Sequence, residues 1–253
     1  GDMKSFFSPP GVYEPCGVFG IEHLILLLAN IALIIAALYI SRNMSCSRIR
    51  KTILLCTIVL WVFEIVKIVF NLIVNGPGEP NHYVPLYFCS LTLYCGFMSV
   101  FGKGFVKRCG DSFLAVGSII GGIMFLLCPN TSLPMYPFFH YISLQSFLYH
   151  SIMIYLGILV LMRGYVVLSV RDQIPYGTVV LVVGVLAYIL NSILGTNLMF
   201  VSDNFPGTPV ELVYRFTGKL FPVCMLLIHI VPPFWLMYGI SRCIEKKRKM
   251  HTE

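Results

Sequence analysis

Charge is scarce in this chain: Asp, Glu, Lys and Arg make up 11% of its 253 residues, against roughly a quarter in a soluble domain. That shortage excludes an ordinary water-soluble globule. Carboxylates are few and unclustered, and no HExxH or CxxC spacing occurs, so neither a metal centre nor a bound cofactor is expected. The nine cysteines do not form a disulfide framework: Cys46, Cys109 and Cys243 flank basic segments, and Cys56, Cys89, Cys95 and Cys224 lie inside apolar runs. Only Cys16 and Cys128 are left to meet on a non-reducing side.

What the chain does have is apolar length. Hydrophobic residues make up 57% and the mean hydropathy is +0.83. Seven apolar runs cover residues 20 to 41, 52 to 74, 84 to 102, 112 to 128, 138 to 162, 177 to 196 and 219 to 240. Each is near the ~20 residues that cross a ~30 Å hydrocarbon core. Backbone polar groups must be satisfied within each segment there, so the runs are expected to be helices. The expected fold is an all-α polytopic membrane bundle of seven transmembrane helices in a cell membrane. A short extracellular segment (1–19) precedes the transmembrane domain (20–240), and a basic cytoplasmic tail (241–253) follows it. Residues 1 to 19, rich in Pro, Gly and aromatics, do not read as a cleavable signal.

The net charge of +7 is a topology signal rather than a nucleic-acid footprint. Fourteen of the 18 Lys and Arg follow the first, third, fifth and seventh runs, hence one face. By the positive-inside rule the N-terminus is outside and the C-terminus cytoplasmic. On the fourth run Gly117 and Gly121, with Ser118 and Gly122, place small residues at i, i+4 for close helix approach. Pro222, Pro232 and Pro233 are expected to bend the seventh helix or interrupt its hydrogen bonding.

Within the spans the ionisable and strongly polar residues gather in the outer half. Glu64 and Lys67 are i, i+3 neighbours, and the cost of ionised groups in hydrocarbon turns them inward, either as a structural ion pair or as part of a site. Cys89 opens the third run, His140 and His150 lie on the fifth, Asn191 and Asn197 flank the end of the sixth, and His229 is on the seventh. A thiol needs a base to raise its thiolate fraction, and a buried imidazole is one. Straight helices would put Cys89 and His150 about 10 Å apart in depth, which makes His140 a rival partner.

The runs Tyr83-Val-Pro-Leu-Tyr-Phe-Cys89-Ser-Leu, Tyr149-His150-Ser151 and Asn191-Ser-Ile-Leu-Gly195-Thr-Asn197-Leu-Met199-Phe200 resemble the YwaF family of bacterial integral membrane proteins, which implies a bacterial plasma membrane. More distantly the chain is similar to a eukaryotic transmembrane acyltransferase family acting on phospholipids, whose membrane cysteine and later histidine match Cys89 and His150. Phe88 and Ser90 stand where those relatives have Pro and His. The resemblance implies an acyltransferase or acyl-ester hydrolase with a membrane phospholipid as substrate, Cys89 as nucleophile, His150 as base and Asn197 or a backbone N–H on the oxyanion, in a pocket open to the outer leaflet. The competing reading is a small-solute or ion-coupled transporter with a midplane site of Glu64, Lys67, His150 and His229. Oligomeric state is not legible.

Overall fold

The structure, a computed structural model, describes residues 3 to 250. Residues 1, 2 and 251 to 253, at the ends of the N-terminal segment and the basic tail, lie outside the described residues, as do the side chains of residues 3, 4 and 247 to 250. The described backbone is helical: α1 (Met3–Phe6), α2 (Ile21–Ile40), α3 (Cys46–Asn75), α4 (Leu91–Phe101), α5 (Gly104–Ala115), α6 (Gly117–Leu127), α7 (Tyr141–Met162), α8 (Gln173–Leu194), α9 (Pro209–Thr217) and α10 (Phe221–Met250). Among the described residues six helical stretches are long and apolar enough to cross a membrane, and α4 is a shorter apolar helix. The chain is a multi-pass membrane protein with an all-helical fold.

The third expected span is the exception. Only its second half, α4, is helical, and 11 residues at ~1.5 Å each cover about half of a ~30 Å core. Pro85 restrains Val84 to an extended conformation, and Tyr94 Oη donates to the Pro85 carbonyl while Tyr87 Oη donates to that of Asn81. These bonds hold residues 80 to 90 as an irregular segment rather than another two turns of helix. Among the described residues the bundle therefore has six helical stretches of full span length and a seventh apolar run that is helical over only half its length.

A second departure follows directly. Residues 103 to 111, expected as a basic loop, form α5 and pack on α4. Gly110 allows the approach, since a Cβ there would lie 2.4 Å from the Ser99 nitrogen. Asp111 is buried at this contact, accepting from Ser99 Oγ at 2.6 Å and pairing with Lys107 at 2.7 Å. Helices α5, α6 and α7 are the centre: 72% of the apolar window in Gly104–Leu127 and 61% of that in Tyr141–Met162 are buried, against 22–28% in the other four. Outward-facing Leu55, Ile65, Ile73, Val182, Leu227 and Leu236 are exposed apolar surface, as a lipid-facing rim requires.

The small residues of α6 behave as their spacing predicts. A Cβ on Gly122 would meet Ile154 Cγ1 at 2.5 Å and the His150 carbonyl at 2.8 Å, so α6 and α7 touch backbone to side chain. Helix α2 is tied on by polar bonds: His23 Nε2 to the Leu126 carbonyl at 2.9 Å, and Ser151 Oγ donating to Asn30 Oδ1 at 2.8 Å. Helix α10 runs through Pro232 and Pro233 without ending. Cys16 and Cys128 are both free thiols.

The two ends of the bundle differ in character. At one, arginines bridge loops: Arg50 donates to the Val100 carbonyl, Arg163 to that of Met44, and Arg108 to that of Val167 while pairing with Asp172. At the other, amides and hydroxyls do the joining. Asn71 Nδ2 donates to the His82 carbonyl, the Asn197 N–H to Asn81 Oδ1, and the N-terminal segment docks through the Cys16 and Gly17 N–H groups on the Tyr136 and Leu133 carbonyls.

Candidate functional site

The irregular segment after α3 delivers Cys89. Gly76, at φ 68°, ends α3, a conformation that glycine adopts without a Cβ clash. The chain then returns through a short 3-10 turn (Pro80–His82) and a tight turn at Pro85, where the Leu86 N–H bonds the Val84 carbonyl. A turn with Ser90 N–H on the Tyr87 carbonyl and Thr92 N–H on the Cys89 carbonyl leads into α4. Cys89 thus sits just before Ser90, the N-terminal cap of α4.

His150 is on α7, nearly buried at 9% exposure. Its ring stacks on Phe125 at 3.7 Å between centroids and 6° between planes, and Nδ1 lies 2.7 Å from the Ser146 carbonyl. A carbonyl only accepts, so Nδ1 carries the proton and Nε2 keeps its lone pair. Nε2 is the basic nitrogen.

The step in depth between Cys89 and His150 is smaller than straight helices imply. A Cβ on Gly121 would lie 3.1 Å from Cys89 Sγ, and one on Gly122 would lie 2.8 Å from the His150 carbonyl. Adjacent residues of one helix differ in height by only ~1.5 Å. Cys89 Sγ and the backbone of His150 therefore both lie against the Gly121–Gly122 step of α6. Their side chains make no hydrogen bond to each other among the described residues, and the adjoining cluster of Leu60, Leu93, Tyr149 and Met153, with Trp61, Phe63 and Tyr94 against it, is apolar and tight around the thiol.

Glu64 and Lys67 face inward as expected. Glu64 is 2% exposed, and Lys67 Nζ lies 2.7 Å from Oε1, although it is not aligned as a hydrogen bond, which leaves Oε1 without one. Lys67 is close enough to act electrostatically on both Cys89 and His150. These four side chains form one constellation between α3, α4, α6 and α7.

The remaining candidates lie elsewhere and have local work. His140 caps α7, accepting from the Ile142 N–H at Nδ1, with Nε2 on the Ser8 carbonyl at 3.1 Å; neither nitrogen is left as a base for Cys89. Asn191 uses its whole amide on the turn after α8, accepting from Thr196 Oγ1 and the Leu198 N–H and donating to Ser202 Oγ and the Leu198 carbonyl. Asn197 does the same for residues 202 to 204, with Oδ1 on the Ser202 and Asp203 N–H groups and Nδ2 on the Asp203 carbonyl. The proposed oxyanion role of Asn197 therefore has no free donor. His229 stands on α10 against Phe88, ring centroids 5.1 Å apart, its Nδ1 on the Met225 carbonyl. It is separated from Cys89 by the neighbouring residue's ring.

Sequence reasoning missed two groups of residues. Asp111 and Asp172 are buried acids, hidden because they sit in stretches that read as basic loops. Tyr149 is 4% exposed with an unpartnered hydroxyl, and it shares electrostatic reach with Glu64, Cys89 and Tyr94; its place beside His150 was the available signal. Two apolar grooves, of about 470 Å³ on α9 and α10 near Cys224 and about 450 Å³ near Trp235, include neither Cys89 nor His150.

No curated protein and no solved structure matches the chain. A family model does: that of the TMEM164 family matches residues 18–238, which include Cys89, His150, Glu64 and Lys67, and the chain belongs to that family.

Proposed function

We propose that the protein is a membrane acyl-ester enzyme, an acyltransferase or hydrolase acting on phospholipid acyl chains, with Cys89 as nucleophile and His150 as base. The observation that carries this reading is the approach of Cys89 Sγ and of the His150 carbonyl to the adjacent glycines Gly121 and Gly122, with Nδ1 of His150 on the Ser146 carbonyl and Nε2 left as the basic nitrogen. The resemblance to phospholipid acyltransferases that use a cysteine and a histidine supports it. Cys89 is half-buried in this structure, and apo geometries are commonly looser than the reacting complex. Substrate entry between helices brings the pair within reach.

In the reaction His150 Nε2 takes the thiol proton as Cys89 Sγ bonds to the ester carbonyl carbon. The tetrahedral adduct collapses, the ester C–O bond breaks, and the leaving lipid alcohol takes the proton from His150. The thioester is then attacked by water or by an acceptor lipid hydroxyl, His150 again taking and returning one proton. Lys67 holds charge beside both groups.

The test is labelling by a lipid-tailed thiol-reactive probe in intact membranes, with the other exposed or half-buried cysteines, Cys16, Cys46, Cys56, Cys128, Cys224 and Cys243, replaced by Ser. Cys89→Ala should remove the labelling and His150→Gln should slow it at least tenfold. Labelling that persists in Cys89→Ala overturns the reading.

A further inference from the structure

Tyr149 stands out because nothing in the fold explains its hydroxyl. The side chain is 4% exposed and its oxygen has no hydrogen-bond partner. Leaving a buried hydroxyl unpaired is costly, and native structures that retain one commonly use it. The other phenols nearby are satisfied: Tyr94 donates to the Pro85 carbonyl and Tyr141 to that of Phe63.

Its surroundings identify the use. Tyr149 belongs to the same apolar cluster as Cys89 and lies within electrostatic reach of that thiol and of Glu64. It precedes His150 on α7, so one helix turn presents a base and a hydroxyl donor to neighbouring faces. A cysteine attacking an ester creates an oxyanion close to its own sulfur, and a fixed donor in a water-poor setting stabilises that charge. Asn197, the side-chain amide expected in this role, is consumed by its own loop. The N–H groups of Ser90, Leu91 and Thr92 are likewise bonded, to the Tyr87, Phe88 and Cys89 carbonyls.

We propose that Tyr149 is the oxyanion donor of the Cys89 site: its unpartnered hydroxyl hydrogen-bonds the carbonyl oxygen of the acyl ester as Cys89 Sγ adds to the carbon. The inference rests on the acyl-enzyme reading above. In the addition step the C=O π pair moves to oxygen, the new S–C bond forms, and Tyr149 Oη–H donates to the O⁻ without losing its proton. When the adduct collapses, the oxygen returns to a carbonyl and the hydroxyl is again unpaired.

The test compares two lipid-tailed probes on the full-length protein in membranes. One is an activated ester, whose attack forms an oxyanion; the other is a chloroacetamide, whose alkylation at sp3 carbon forms none. Tyr149→Phe should slow acylation of Cys89 about 100-fold, the scale of losing one oxyanion donor, and leave alkylation within about twofold, since thiol access and base are intact. Because the hydroxyl has no partner to lose, the variant should melt at or above the wild-type temperature, so misfolding does not mimic the result. Equal slowing of both probes, or slowing of neither, overturns the oxyanion role while leaving Cys89 as nucleophile. Labelling by both probes that survives in Cys89→Ala overturns the acyl-enzyme reading and the oxyanion role with it.

Discussion

Asp172 and Glu64 are two buried carboxylates with opposite local accounts. Asp172, 3% exposed, is saturated: Arg108 grips both oxygens, and the Ser169 N–H and Oγ donate to Oδ2 at 2.6 and 2.8 Å. Glu64, 2% exposed, has one ammonium at 2.7 Å and an oxygen with no aligned donor, beside a tyrosine hydroxyl that has no acceptor. The first pattern joins α5 to the start of α8 and leaves nothing to bind. The second leaves donors and acceptors open next to a thiol and an imidazole. Incomplete satisfaction of buried polar groups, rather than burial itself, separates the candidate site from the structural clamp.

The largest expected effect attacks the clamp. Asp172→Ala strands the half-buried Arg108 and removes the acceptor of two Ser169 donors, and should cost about 3 kcal/mol on the scale of broken buried pairs. Thermal unfolding in detergent measures it, and the alkylation rate of Cys89 in the folded fraction should stay unchanged. A change in that rate would erase the contrast between the two acids.

Next comes the spacer between the reactive pair. In Gly122→Ala the new methyl meets Ile154 and the His150 carbonyl, so overpacking of about 2 kcal/mol is expected. Because α7 must back away, acylation of Cys89 should fall by more than alkylation does. Gly121→Ala, pressing only on Cys89 Sγ and Phe88, should instead slow both probes while costing less stability.

Glu64 sharpens the comparison from the other side. With Lys67 26% exposed along its side chain, Glu64→Ala should cost only about 1.5 kcal/mol, less than a fully buried pair. The double change Glu64→Ala with Lys67→Met should be milder than Glu64→Ala alone, since no stranded ammonium remains. A double variant less stable than the single would show that the pair is a clamp like Asp172 and Arg108.

The smallest expected effect concerns Asn197. Its amide organises residues 202 to 204, so Asn197→Ala should loosen that loop by about 1 kcal/mol and leave the acylation-to-alkylation ratio of Cys89 unaltered. A selective loss of acylation would return the oxyanion role from Tyr149 to this loop.

Much of this arrangement was legible beforehand, for reasons that differ by residue. Glu64 and Lys67 had to face inward because lipid is a poor solvent for charge, and a spacing of three fixes them on one helix face. Gly121 and Gly122 announced a close helix contact because a missing Cβ is a property of the residue itself. By contrast, the conformation of residues 84 to 90 was misjudged: an apolar run reads as helix whether it crosses lipid or lies packed inside protein, where an irregular backbone is tolerated. Pro85 was the signal. His140, Asn191 and Asn197 looked like site residues because sequence shows polarity near a span end without showing which backbone groups it caps.

By itself the sequence determined the solvent. Long apolar runs with few charges can satisfy their backbone only as helices in a membrane, and basic residues gathered after alternate runs assign them to one end. Tertiary structure alone decided which polar groups are satisfied and which are left open. An irregular segment through Pro85 brought Cys89 Sγ against Gly121 beside the His150 carbonyl at Gly122, while local turns absorbed Asn191, Asn197 and His140. Hydrogen-bond satisfaction depends on distances between residues far apart in the chain, which composition and spacing do not encode.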